Sequence, residues 1–134
     1  MKKFLCVILF LVLSVSLFSC KKEGHVDYIS AIEAKQLMDS SEDYIILDTR
    51  TQEEYNESHI PDAILIPYDK IEENAKEMLP DKDSLIFVYC RTGRRSKIAA
   101  ESLRELGYTN VKEFGGILSW EYETVTGIDN QITS

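Results

Sequence analysis

The sequence predicts an α/β domain in which a mostly parallel central sheet of about five strands is covered by helices on both faces. Three features of the 134-residue chain support this fold class. Short apolar runs alternate with helix-length stretches, as in chains built from β-α units. The runs are apolar throughout, which is typical of strands buried on both faces. Two of the intervening stretches begin with a Ser/Thr-x-x-Glu capping pattern, which marks a helix start.

The first half of the domain contains two helix starts and two buried strands. Residues 30–33 read Ser-Ala-Ile-Glu and predict a helix that continues to about Asp39. The apolar run 44–47 then predicts a strand buried in a parallel sheet. Residues 51–54 repeat the capping pattern, and the apolar run 63–66 predicts a second buried strand.

The second half contains the clearest strand of the sequence. A helix is predicted over 69–78 and ends before Pro80. Residues 85–89, Leu-Ile-Phe-Val-Tyr, are rich in β-forming side chains and predict the central strand. The next helix is predicted over about 95–106, because apolar residues recur on one of its faces and Gly107 is a natural terminator.

The chain closes with three short predicted elements. Residues 110–113 predict a last short strand. The two glycines at 115–116 predict a turn, and 117–122 predict a short helix around Trp120.

The first residues have the pattern of an export signal. Lys2 and Lys3 precede an apolar run over 4–18 that only two serines interrupt. A helix of that length would be about 23 Å long, which is shorter than the hydrocarbon core of a bilayer. Residues 1–19 are therefore predicted to be a signal peptide. An uncleaved N-terminal anchor is the alternative.

Residues 17–20, Leu-Phe-Ser-Cys, resemble the lipobox of bacterial lipoproteins. In that family the cysteine is lipidated and becomes the mature N-terminus, which implies a lipid on Cys20, a lipidated tether over 20–27 and a folded domain over 28–134. The resemblance also implies a protein anchored in the bacterial cell envelope through its lipid, facing the periplasm or the surface. Cleavage there would leave Cys90 as the only free thiol.

The composition excludes several classes of function. A net charge of −8 argues against non-specific nucleic-acid binding, because phosphate neutralisation needs a basic surface. The three cysteines, Cys6, Cys20 and Cys90, form no CxxC pair, and the chain has two histidines. We therefore expect neither a metal ion nor a cofactor.

Cys90 stands where ligands bind in α/β sheets, directly after the strand over 85–89 and before a helix. Gly93 permits backbone geometry closed to other residues, so successive amides can point inward beside the positive helix N-terminus. The same stretch carries three arginines, Arg91, Arg94 and Arg95. This field favours the thiolate form of Cys90. A cluster of basic residues on an otherwise acidic protein predicts a site for a small anion.

Residues 90–96, Cys-Arg-Thr-Gly-Arg-Arg-Ser, resemble the active-site loop of the rhodanese family. Residues 47–55 and 59–67 resemble the two upstream motifs of that family, in the same order and at suitable spacing. Residues 115–120 resemble its closing motif. The resemblance covers about residues 28–126, which is nearly all of the predicted domain.

The resemblance implies a rhodanese fold and a thiosulfate sulfurtransferase activity. Cys90 would be the nucleophile that takes sulfane sulfur from a small anionic donor such as thiosulfate, and cyanide or a thiol would then accept it. Asp48 and Arg50 would have a structural ion-pair role, and a monomer would suffice. The substrate-binding loop would consist of Arg91, Thr92, Gly93, Arg94 and Arg95.

Three residues in or beside these motifs are expected to affect the local backbone or packing rather than the chemistry. Ser58 and Asp62 stand where the family usually has glycine, which affects the local turns rather than the thiol loop. His59 is interpreted as a structural histidine near a turn rather than as a base or a ligand.

Two other functions compete with sulfur transfer. A phosphatase or arsenate reductase on a related thiol-loop fold would need an arginine six positions after the cysteine, and that position is Ser96. A non-catalytic binding module on the rhodanese fold is the second alternative. Loss of the cysteine is the usual sign of such a module, and Cys90 is present.

Overall fold

The computed structural model describes residues 23–127. The predicted signal peptide and the predicted lipid attachment site, Cys20, lie outside the described residues. The strands are β1 (Val26–Tyr28), β2 (Ile45–Asp48), β3 (Ile64–Leu65), β4 (Ile86–Cys90) and β5 (Val111–Gly116). The α-helices are α1 (Ala31–Ser40), α2 (Gln52–Glu57), α3 (Ile71–Met78) and α4 (Arg94–Glu105). Two 3-10 turns, Tyr68–Lys70 and Ile117–Ser119, complete the domain.

The five strands form one sheet in the order β1-β5-β4-β2-β3, and every pair is parallel. The strand β4 lies at its centre and is buried along its whole length. Because β2 and β4 are parallel neighbours, their carboxyl ends meet at one edge of the sheet, with Asp48 opposite Tyr89. Chemistry-bearing residues that follow the two strands are thereby brought together.

Both faces of the sheet are covered, as the sequence predicts. Ile86 and Val88 of β4 pack into a core with residues of α3 and α4. Phe87 and Tyr89 point to the opposite face and pack with residues of α1, α2 and the chain around Trp120. The alternation follows from the two-residue period of a strand, and it confirms the predicted fold class.

The two capping boxes are formed as predicted. The Ser30 hydroxyl accepts a hydrogen bond from the Glu33 amide, and the Glu33 carboxylate accepts one from the Ser30 amide. Thr51 and Glu54 make the same reciprocal pair at the start of α2. Each box supplies hydrogen-bond partners for amides that a helix start would otherwise leave unpaired.

The first strand begins at Val26, two residues before the predicted start of the folded domain. Val26–Tyr28 forms an edge strand that pairs only with β5, and the His25 amide donates to the Tyr108 carbonyl. A three-residue strand with Asp27 at its centre contains no apolar run, so the local sequence pattern does not predict a strand there. Its pairing partner lies more than eighty residues away, so the local pattern could not predict it.

The predicted turn at the glycine pair is wrong. Gly115 and Gly116 are the last residues of β5, and Gly116 stands opposite Cys90. The predicted closing helix is limited to the 3-10 turn Ile117–Ser119. Within residues 23–127, no helix combines the length and apolar character that crossing a bilayer requires.

Asp62 shows how the chain tolerates one departure from the family pattern. Its φ is 63°, in the left-handed region that favours glycine. Aspartate enters this region more readily than most residues, because its short side chain can hydrogen-bond locally. The turn after Pro61 therefore keeps a glycine-like conformation without the glycine.

Candidate active site

The thiol lies at the carboxyl end of β4, where the sequence places it. Cys90 is 1% exposed, and its sulfur accepts a hydrogen bond of 3.0 Å from the Gly93 amide. Gly93 has φ 110° and directly precedes α4. That backbone conformation is open to glycine and strained for other residues. The sharp turn points the amides of the loop toward the sulfur.

The segment between β4 and α4 comprises Arg91–Gly93, because α4 begins at Arg94, one residue before its predicted start. Arg94 and Arg95 therefore extend from the first turn of the helix.

Hydrogen-bond donors favour the ionised form of the thiol. Burial alone would raise the pKa of Cys90. The hydroxyl and amide of Ser96 and the amides of Gly93 and Thr92 outweigh burial and bring the pKa of the thiol below its ordinary value. A thiolate is the nucleophilic form of cysteine, so the site is built for attack by sulfur.

A buried polar cluster lies behind the loop. The Ser96 hydroxyl is 2.5 Å from Oε1 of Glu113, and the Gly115 amide donates to the same carboxylate oxygen at 2.9 Å. Both Ser96 and Glu113 are buried. The sequence alone predicts no hydrogen-bonding role for Ser96 or Glu113. Nothing in the sequence around Glu113 indicates that its side chain is buried against Ser96.

Gly116 lets β5 pass directly beneath the thiol loop. A Cβ atom at this position would lie 2.0 Å from the Arg91 carbonyl oxygen and 2.5 Å from the Thr92 nitrogen. Atoms cannot approach so closely, so a side chain here would displace the loop. The Leu118 amide also donates to the Arg91 carbonyl at 3.3 Å. The closing motif therefore supports the loop that holds Cys90.

The predicted arginines have different environments. Arg95 makes two 2.7 Å hydrogen bonds to the carboxylate of Glu54, and this contact holds the pKa of Glu54 at about 2. Arg94 is exposed and lies over the Tyr68 ring, with 5.9 Å between the guanidinium carbon and the ring centroid. Arg91 is exposed too, and it makes no ion pair with any residue in the range 23–127. Arg91 and Arg94 are thus open to a ligand, whereas Arg95 is paired with Glu54.

Asp48 and Arg50, to which the sequence analysis assigns a structural role, make a buried ion pair. The Arg50 guanidinium donates to both carboxylate oxygens of Asp48 at 2.7 to 3.1 Å and to the Ser58 carbonyl at 2.6 Å. The Tyr89 hydroxyl donates to Asp48 at 2.7 Å and accepts from the Ile60 amide at 3.1 Å. The pair joins β2 to β4 immediately before Cys90 and so fixes the end of the strand.

His59 packs in the protein interior. Its ring stacks on Tyr55 with 3.7 Å between the centroids, and Nδ1 is 2.8 Å from the Tyr55 carbonyl oxygen. Its backbone pairs with Val125 in both directions. The two backbone hydrogen bonds between His59 and Val125 hold the segment that follows Gly116 against the turn near Pro61. In the described part of the chain, no three His, Cys, Asp or Glu side chains are grouped in a way that could hold a metal ion.

The chain matches the family model described as the rhodanese-like domain over residues 30–123. It is 41% identical over 71 residues to the thiosulfate sulfurtransferase PspE of Escherichia coli, covering 53% of this chain and 68% of that relative. It is 34% identical over 107 residues to the putative sulfur carrier protein YrkF of Bacillus subtilis, covering 79% of this chain and 57% of that relative. The putative sulfurtransferase YtwF of Bacillus subtilis is 34% identical over 96 residues, covering 72% and 91%.

Solved structures are similar over the same region. One described as a rhodanese with anions from E. coli has a TM-score of 0.60 and 37% identity, and it covers 63% of this chain and 99% of that chain. A rhodanese-like domain protein from Staphylococcus aureus has a TM-score of 0.65 and 31% identity, covering 76% and 99%. The similarity therefore extends across the domain that positions Cys90.

Proposed function

The chain belongs to the rhodanese-like family, and from this premise we propose that it moves sulfane sulfur from an anionic donor, such as thiosulfate, to cyanide or a thiol. The single observation that carries the proposal is the environment of Cys90. Its buried sulfur is surrounded by hydrogen-bond donors from Thr92, Gly93 and Ser96, beside exposed cations. Relatives named as sulfurtransferases support the same chemistry.

The proposed reaction proceeds in two balanced steps. The Cys90 thiolate attacks the outer sulfur of thiosulfate, the donor S–S bond breaks, and sulfite leaves with the bonding electron pair. A new S–S bond thereby forms a persulfide on Cys90. Cyanide or a thiolate then attacks the outer sulfur, and the Cys90 thiolate leaves with the electron pair. The amides of the loop stabilise the negative charge on sulfur at both stages.

The geometry disfavours the phosphatase alternative. Ser96 occupies the position where a phosphatase would need its clamping arginine, and its hydroxyl is committed to buried protein groups. The two arginines of the helix start stand one and two residues earlier, and Arg95 is paired with Glu54. A three-residue loop suits a single sulfur atom better than a tetrahedral phosphate.

We expect Arg94→Ala to raise the thiosulfate KM by roughly fivefold, which corresponds to about 1 kcal/mol of binding free energy. Arg95→Ala should raise it by less, because Glu54 already pairs with that guanidinium. Their charges attract the anionic donor, whereas the bond making occurs at Cys90, so kcat should change less. Steady-state kinetics with thiosulfate and cyanide measure both constants. Arg104→Ala, at the far end of the same helix, is the matched control. Unchanged kinetics in both variants would show that these arginines are only surface charge.

We also propose that the protein is anchored in the bacterial cell envelope by a lipid on Cys20. The support is the sequence alone, namely the apolar run over 4–18 and the lipobox-like residues 17–20. We expect intact-mass spectrometry of the membrane-extracted protein to show a chain that begins at Cys20 and carries acyl groups. We expect Cys20→Ser to move the protein out of the membrane fraction. An unmodified chain that retains residues 1–19 would contradict lipidation and favour the uncleaved anchor.

A further inference from the structure

A cavity of about 160 Å³ lies beside the core that contains Phe87 and Tyr89, and its lining includes no residue of the thiol loop. Side chains of α1 and β2, of the turn 60–62 and of the segment 120–123 form its walls. A cavity of roughly 150 Å³ is large enough to hold a group the size of benzene. The two-step reaction at Cys90 makes no use of this space.

Three aromatic side chains line the cavity: Tyr44, Trp120 and Tyr122. The rings of Trp120 and Tyr122 meet nearly edge to face, with 4.9 Å between their centroids and 69° between their planes. The indole N–H of Trp120 donates to the Glu123 carbonyl at 3.1 Å, and the Tyr44 ring packs edge-on against Phe87. These contacts fix the orientation of the rings, so the aromatic walls are formed in advance of any ligand.

The charged groups of the cavity are mainly acidic. Its lining contains three carboxylates, from Asp39, Asp62 and Glu123, and one ammonium group, from Lys35. The Lys35 ammonium donates to Asp39 and lies over the Tyr122 ring, 5.5 Å from its centroid. Asp62 and Glu123 are exposed, and neither makes an ion pair with another residue of the range 23–127. The walls therefore already attract one cation of the chain itself and keep two carboxylates for another.

Asp62 contributes a charge that its turn does not require. It stands where the rhodanese family usually has glycine, and its φ is 63°. Glycine adopts this left-handed conformation more easily than aspartate does. The turn would form at least as well with glycine, so the carboxylate adds negative charge to the cavity without any benefit to the backbone.

We propose that this cavity binds a small organic cation that carries a methylated ammonium group. The face of an aromatic ring attracts a cation, and cages of such rings recognise quaternary ammonium groups. Aromatic walls also suit methyl groups better than N–H groups, which would lose their hydrogen bonds to water. Asp62 and Glu123 supply the opposite charge, and Lys35 competes with the ligand for the Tyr122 ring. The proposal is independent of sulfur transfer at Cys90.

Titration of the full chain with choline, followed by the fluorescence of Trp120, tests the proposal. The chain has one tryptophan, so selectively excited emission reports on this cavity. The alcohol 3,3-dimethyl-1-butanol has the shape of choline without its charge and is the neutral control, at constant ionic strength. We expect a saturable change with a Kd of about 1 mM for choline. The neutral alcohol should bind at least about fivefold more weakly, because it lacks the cation–π attraction.

Two substitutions should change the choline Kd in opposite directions. Asp62→Asn removes one charge, and asparagine tolerates the left-handed backbone, so the Kd should rise by about threefold. Lys35→Met removes the competing ammonium but keeps a long side chain, so the Kd should fall by about threefold. Glu121→Gln is the matched control, because Glu121 is an exposed acid of the same segment that does not line the cavity. It should leave the Kd unchanged, and circular dichroism verifies that each variant is folded.

Four outcomes would overturn the proposal. Choline could cause no saturable change, or the neutral alcohol could bind as tightly as choline, which would make the cavity merely apolar. Asp62→Asn could have no larger effect than Glu121→Gln. Finally, Lys35→Met could weaken choline binding, which would show that Lys35 does not compete with the cation. If Asp62→Asn does not fold, Asp62→Gly replaces it with the same expected rise in Kd. The titration requires no reaction at Cys90, so failure of the proposed function would not alter these results.

Discussion

Replacing Cys90 with serine is expected to lower sulfur transfer by at least about a thousandfold, because a serine hydroxyl is a far weaker nucleophile and cannot carry the persulfide. The fold should remain intact. Serine is close to cysteine in size, and its hydroxyl can use the amide of Gly93 that now donates to the sulfur. We therefore expect the free energy of unfolding to change by no more than about 1 kcal/mol.

Transfer is measured as thiocyanate formed from thiosulfate and cyanide, and stability by urea unfolding. Cys6→Ser in the uncleaved chain is the matched control, because it removes a thiol outside residues 23–127, which the structure describes. It should retain full activity. A Cys90→Ser protein that is folded and fully active would contradict the mechanism, and an unfolded one would show that the cysteine is needed for packing.

Replacing Asp48 with alanine is expected to destabilise the domain by about 3–5 kcal/mol, which is the usual cost of breaking a buried ion pair. The substitution leaves the Arg50 guanidinium 5% exposed without its carboxylate. It also removes the acceptor of the Tyr89 hydroxyl. Because these contacts join β2 to the end of β4, the position of Cys90 should become less defined, and transfer should fall with stability.

The matched control is Glu73→Ala, which breaks an exposed ion pair. The Lys70 and Glu73 side chains are 47% and 66% exposed and 3.2 Å apart. Such pairs contribute at most about 1 kcal/mol, since water screens them. Urea unfolding of both variants gives the comparison. An Asp48→Ala protein as stable as Glu73→Ala would show that the buried pair does not support the sheet edge.

Elements with a local cause could be predicted from the sequence. The central strand β4 is an apolar run that is buried on both faces, and its prediction required no knowledge of its neighbours. The capping boxes at Ser30 and Thr51 involve groups three residues apart, so they are visible in the sequence. The place of Cys90 follows from the same reasoning, because it directly succeeds β4.

Features that depend on distant partners could not be predicted. The strand β1 exists because it pairs with β5, and three residues alone give no strand pattern. The glycine pair has the local appearance of a turn, but Gly116 is required by the close passage of the Arg91 carbonyl. Likewise, nothing near Glu113 in the sequence indicates Ser96, which the fold brings to it from α4. In each case the decisive contact is made by the tertiary structure.

The arginines show the same division within the site. The sequence shows that the three arginines cluster around the thiol, but it does not show which of them is paired with an acid. Pairing with Glu54, which comes from α2, sets Arg95 apart from the exposed Arg91 and Arg94. The charge available to an anionic donor therefore depends on a contact between residues forty-one positions apart.

The most direct test of the proposed chemistry is the intact mass of the protein after incubation with thiosulfate and removal of the excess reagent. We expect a gain of one sulfur atom, located on the peptide that contains Cys90 and lost again on addition of cyanide. A protein that gains no sulfur, or a Cys90→Ser variant that gains it equally, would contradict sulfur transfer through Cys90 and favour a non-catalytic binding module.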